Sequence, residues 1–172
     1  MSENEKKVEY IPFVGAVDDY VGRSAWDFYS WGHVDMGIAA FIFFSLFITI
    51  PEYYLGQGAG FFPWWCAFLL TIAVGILWEI LENTLIYYWG WRPGGLDSVV
   101  NAVWDIIFVT LGGAVMWLLK WIIMNVFGYP GRWFYIAALN SFLIILICYL
   151  IGFYITNENT KKARQKRGKS IS

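Results

Sequence analysis

Four stretches of this chain are apolar for long enough to cross a bilayer, and a membrane leaves a polypeptide few ways to fold. A helix needs about 20 residues to span the hydrocarbon. The candidate spans run over 33–52, 63–88, 97–125 and 133–156. Pro51, a QGAG loop and Pro63 separate the first two, GWRPGG the second and third, and FGYPGR the third and fourth. Lipid satisfies no backbone hydrogen bonds, so a crossing segment must be a helix or part of a closed barrel. No stretch alternates polar and apolar residues as a barrel strand would, which leaves helices. The composition agrees: 59% of the 172 residues are hydrophobic and 15% charged, too apolar for a soluble domain of this size.

The expected fold is therefore all-α and integral to the membrane, a bundle of four transmembrane helices preceded by an interfacial segment. Residues 1–31 form the cytoplasmic or interfacial N-terminal segment, 32–156 the transmembrane domain, and 157–172 a basic cytoplasmic tail. SAWDFYSW, just before Gly32, has the mixed aromatic pattern of chain lying among lipid headgroups. MSENEKKVEYIPFVGAVDDY has no apolar core behind its lysines and does not read as a signal peptide. Cys66 and Cys148 fall within apolar runs and read as small buried hydrophobes, not as a disulfide.

Lys and Arg in short loops set orientation. With both termini on one side, that side receives ten basic residues: Lys6, Lys7, Arg23, Arg92, Lys161, Lys162, Arg164, Lys166, Arg167 and Lys169. The other side receives Arg132, while Lys120 lies near the end of the third span, where it can snorkel. The expectation is a multi-pass inner-membrane protein with both termini in the cytoplasm. KKARQKRGKS is an orientation signal, with charge suited to anionic lipid.

The stretch WEILENTLIYYWGWRPGGLDSVVNAVWD, Trp78 to Asp105, places acids and amides inside lipid-like sequence. At ~1.5 Å per residue, Glu79 and Asp105 reach nearly the same depth, and Glu82 and Asn83 fall level with Asn101. Gly75, Glu79, Glu82 and Asn83 share one arc of the second span; Asp97, Asn101, Asp105 and Gly112 share one arc of the third. His33, Met36, Gly37 and Ala40 form an arc of the first span, with Asp35 about 200° from His33. Small residues near each polar patch would let the helices approach closely.

Plain roles account for several of these residues. Asp97 fits a helix N-cap, Asp35 the dipole at the start of the first span, Asn101 a helix–helix hydrogen bond, and Arg92 a marker of the cytoplasmic side. They do not account for Glu79, Glu82 and Asp105. An acid at mid-helix costs about 2.5–3.5 kcal/mol on insertion scales. Three such acids must face the interior, where His33 and Arg92 are the nearby cationic candidates. Clustered carboxylates raise one another's proton affinity, so the site should hold protons or capture a cation. Glu79, Glu82, Asp105 and His33 are the expected ligands, supported by Asn83, Asn101, Asp97 and Arg92. Oxygen ligands with one imidazole suit a divalent metal ion such as manganese, iron or zinc.

Three blocks, SAWDFYSWGHVDMG, WEILENT and LDSVVNAVWDIIFVTLGG, resemble a family of small bacterial inner-membrane proteins of unknown function, grouped loosely with VanZ-like proteins. The likeness covers roughly residues 24–117. In this chain Met36 stands where the family has a second histidine, Leu96 where it has glycine, and Ala102 where it has serine. The resemblance implies the same bundle and the same site residues, and no particular reaction.

One histidine excludes an HExxH zinc site and the paired Glu-x-x-His motifs of di-iron bundles within one chain. There is no Walker glycine loop, no GxSxG elbow and no nucleic-acid signature. Asp97 and Asp105 share one helix, unlike the facing pair an intramembrane aspartyl protease uses. Three classes remain: a cation- or proton-binding site, with Glu79 and Asp105 as catalytic candidates, serving action on lipid-linked or amphipathic substrates; an accessory subunit of a membrane complex; and a small proton- or ion-coupled transporter. The expected partners are the bilayer and either a second copy of the chain or a membrane-complex subunit.

Overall fold

The structure, a computed structural model, describes residues 25, 26, 28–90 and 96–169. They form α1 (Ser30–Leu55), α2 (Trp64–Leu81), α3 (Val99–Lys120) and α4 (Gly131–Lys169). A π-helical turn, Glu82–Ile86, extends α2, and a second, Trp121–Val126, extends α3. Four helical segments, Ser30–Leu55, Trp64–Ile86, Val99–Val126 and Gly131–Ile155, are long and apolar enough to cross a membrane. The four-helix bundle expected from the apolar spans is the fold observed. α1 and α3 pack along each other at the centre, with α2 against both on one side and α4 on the other.

Two boundaries differ from the sequence reading for identifiable reasons. The first span was expected to end at about residue 52, with Pro51 beginning its separation from the second, yet α1 runs through Pro51 to Leu55. A proline inside a helix leaves the carbonyl four residues earlier without its usual donor. Here the Phe47 carbonyl instead accepts from the Phe61 N–H at 3.1 Å, supplied by the α1–α2 loop. The helix then stops at Gly56, whose φ of 101° suits glycine. At the other end of the chain, α4 continues as helix through the basic tail to Lys169.

The α1–α3 contact is made by glycine. A Cβ on Gly37 would lie 2.0 Å from the Val109 carbonyl oxygen, and one on Gly112 would lie 2.1 Å from that of Val34. Each helix thus presses a glycine against the other's backbone, the close approach small residues permit between membrane helices. Gly75 of α2 completes the arrangement, with the Val109 side chain 3.0 Å from where its Cβ would be. Further along α1 aromatic rings fill the interior: Phe41, Trp64 and Phe134 pack with centroids 6.1–6.4 Å apart. Phe41 and Phe134 are fully buried.

The described end of the N-terminal segment docks on the bundle where α1 begins. Trp26 meets Phe108 of α3 edge-on at 4.9 Å, and Phe28 stacks on Tyr149 of α4 at 5.1 Å. Lys120 sits over the Trp64 ring at 4.7 Å and donates to Asn125. The cysteines are free, and neither is buried as expected: Cys66 is half-buried and Cys148 exposed on α4.

Candidate functional site

The glycine contact sets the site. His33 lies one turn before Gly37 on α1, Glu79 one turn after Gly75 on α2, and Asp105 two turns before Gly112 on α3. Drawing the three backbones together at the glycines brings these side chains to a common point. His33 Nδ1 is 4.0 Å from Glu79 Oε1, and His33 Nε2 is 3.6 Å from Asp105 Oδ2. His33, Glu79 and Asp105 are 8%, 6% and 4% exposed, so all three have left both lipid and water. Glu79 and Asp105 thus flank the His33 imidazole, one at each ring nitrogen.

Glu82 departs from the reading that put all three acids in one interior cluster. It is only half-buried, and its Oε2 accepts from Trp78 Nε1 at 2.9 Å. It still belongs to the site: His33, Glu79 and Glu82 each offer a ligand atom, and these lie within 4.8 Å of one another. First-row metals hold nitrogen and oxygen at about 2.1 Å, which spaces ligands up to ~4.2 Å apart, so a slight inward rotation of the carboxylates would place all three on one ion. Asp105 stands on the far side of the imidazole. With the ring proton on Nε2, toward Asp105, Nδ1 presents its lone pair to Glu79. That is the arrangement in which an outer carboxylate fixes the tautomer and raises the basicity of a ligating histidine.

The π-helical turn after Glu79 carries two side chains bonded back to the helix. Asn83 Nδ2 donates to the Glu79 carbonyl at 3.1 Å, and Thr84 Oγ1 donates to that of Ile80. Those are the carbonyls that the backbone N–H groups of residues 83 and 84 would use in an α-helix. The same Asn83 reaches across to the start of the third span. Its Nδ2 donates to Asp97 Oδ2 at 3.1 Å, and its Oδ1 accepts from the Asp97 N–H at 2.9 Å. Asn83 also approaches Glu79 Oε2 at 3.3 Å. This clasp ties the acid-bearing end of α2 to the start of α3.

The clasp corrects the N-cap assignment. Ser98 caps α3, its Oγ accepting from the Asn101 N–H at 3.1 Å, and Asp97 is left to bind Asn83. Asn101 is 1% exposed, one turn from Asp105. Asp35 lies beyond the first turn of α1 and is 5% exposed, so it is a buried acid rather than a dipole partner at the helix start. By helical angle it lies away from His33, on the flank of α1 toward α4, and outside the site. Arg92, expected as a supporting residue, lies outside the described residues. The signals missed in sequence were the asparagine that could pair with Asp97 across a loop and the serine one residue later that could cap.

Comparison with family models, curated proteins and solved structures finds no match to this chain. The buried cluster itself therefore carries the functional reading.

Proposed function

We propose that this chain is an inner-membrane protein, both termini cytoplasmic, whose His33–Glu79–Glu82 cluster binds a cation: a divalent metal ion or a proton. The observation that carries the reading is the imidazole held between two buried acids, Glu79 at Nδ1 and Asp105 at Nε2, with Glu82 offering a third ligand atom within 4.8 Å of those of His33 and Glu79. Asp105 acts through His33 and is a positioning residue, and the Asn83–Asp97 clasp holds Glu79 from behind. The ten-to-one distribution of basic residues supports this orientation, in which the site lies in the cytoplasmic half of the membrane.

An amphipathic or lipid-linked substrate fits the surroundings. A groove of about 250 Å3 runs between α1, α3 and α4, lined by Trp26, Val34, Ile38, Phe108, Leu111 and Ile145 among others. Val34 adjoins His33, and Phe108 lies one turn from Asp105, so an apolar chain in the groove would bring an attached polar group to the depth of the cluster. The resemblance to small inner-membrane proteins of the VanZ-like group is compatible with this reading and adds no reaction to it.

Elemental analysis of the full chain purified in mild detergent reads a bound metal, and the carboxylate infrared bands across a pH titration read a bound proton. We expect Glu79→Gln to remove the metal, or the titrating band, while helicity stays at the wild-type level. Asp105→Asn should weaken metal affinity about 10–100-fold, the usual cost of losing an outer partner of a ligating histidine. Isosteres that fold normally and leave both readouts unchanged would sink the proposal.

A further inference from the structure

α4 has two seams on opposite sides. One, through Tyr135, Ala138, Phe142, Ile145 and Tyr149, faces its own bundle. The Tyr135 hydroxyl pairs with Ser45 at 2.9 Å, Ala138 is fully buried, and Tyr149 stacks on Phe28. The other follows Trp133, Ile136, Asn140, Leu143, Ile147 and Leu150, in steps of three and four residues, about 200° around the helix. Every residue of this second seam is exposed. In the most apolar 18-residue stretch of α4 only 6% of residues are buried within the chain, against 44% in that of α1.

We propose that the second seam is the interface of a parallel homodimer in which two α4 helices pack together and Asn140 meets Asn140 of the second copy. The alternating three–four spacing is that of a helix prepared for another helix, with Asn140 at a core position of the repeat. Asn140 lies nine residues past Gly131, roughly 14 Å into a hydrocarbon layer about 30 Å thick. The exposed positions of α2 and α3, by contrast, are all apolar. The Asn140 carboxamide donates to the Ile136 carbonyl at 2.7 Å, which uses one of its several hydrogen-bonding positions. Lipid can satisfy none of the others.

The identity of the partner follows from symmetry. Copies of one membrane protein insert with the same orientation, so their α4 helices run parallel about an axis along the membrane normal. Each residue near that axis meets its own copy at its own depth. A carboxamide, carrying both donors and an acceptor, is complementary to itself there; a carboxylate or an ammonium would repel its copy. Asn140 thereby sets the register while the apolar seam residues supply packing.

The test uses the full chain with Cys66 and Cys148 replaced by alanine, reconstituted in liposomes. Single cysteines at 136, 140, 143 and 147 should form interchain disulfides on mild oxidation, and cysteines at 138 and 145 should not. Energy transfer between donor- and acceptor-labelled copies should show dimers, and Asn140→Leu should raise the protein-to-lipid ratio at half-dimerisation about tenfold, as loss of a membrane hydrogen-bonded pair implies. Asn140→Gln should recover most of that loss. Equal disulfide yields at 138 and 140, a dimer indifferent to Asn140→Leu, or a chain that stays monomeric at every density would overturn the proposal. So would a different protein, captured by a crosslinker at 140 in native membranes.

Discussion

The two ends of the α1–α3 core are built in different ways. Where α1 begins, glycines put backbone against backbone, with Gly37 on the Val109 carbonyl and Gly112 on that of Val34, and polar side chains converge beside the contact. Toward the other end Phe41, Trp64 and Phe134 fill the interior, Phe134 edge-on to the other two, and hydroxyls take the place of the buried acids: Ser45 and Thr49 on α1 share the Tyr135 hydroxyl of α4. Ring packing tolerates adjustment because its parts are side chains. Backbone contact does not, since nothing at the contact can rotate away. The polar cluster proposed as a cation site is found at the end of the bundle that has the least freedom to shift.

The broadest test concerns which end faces the cytoplasm, and its outcome is all or none. Cysteines introduced at 57 and 129, in the loops at the aromatic end, should react with an impermeant thiol reagent in intact cells, and one at 165 should not. The reverse pattern would move the polar end to the outer leaflet and break its assignment to the cytoplasmic half.

The next effect is large and local. Gly112→Ala sets a methyl group 2.1 Å from a carbonyl oxygen, so the helices must separate. Overpacking commonly costs about 1–3 kcal/mol, and a clash with backbone belongs at or above the top of that range. Stability against denaturing detergent should fall sharply, and cation binding should fall with it. Gly131→Ala is the control: its nearest neighbours would be 3.6 Å away, and it should be close to neutral. Equal tolerance of the two substitutions would mean that the glycine contact does not hold the polar end together.

The smallest effect belongs to the aromatic end. Tyr135→Phe removes the hydroxyl shared by Ser45 and Thr49 and should cost about 0.6 kcal/mol, the average for hydrogen bonds between membrane helices. Cation binding should stay at the wild-type level. A loss of binding from this substitution would show that the two ends are coupled and that the contrast between them is too sharp.

Much of this was legible in the sequence because a bilayer converts composition directly into structure. Spans follow from apolar length, helices from the need to satisfy the backbone, and the inward direction of Glu79 and Asp105 from the cost of placing an acid against lipid. Helical periodicity was sufficient to put Gly75 with Glu79, and Gly112 with Asp105, on single faces. What the tertiary structure decided are relations between faces. Periodicity says which residues share a side of one helix, but it carries no information about the rotation or depth of one helix against the next. The nitrogen of His33 that meets each acid, the half-buried place of Glu82, the pairing of Asn83 with Asp97 and the capping by Ser98 all depend on that rotation or on the path of a loop. The burial of Asp35 away from His33 and the two seams of α4, one filled and one open, depend on it too. They were settled only when Gly37 and Gly112 brought two backbones into contact and left the helices a single way to fit.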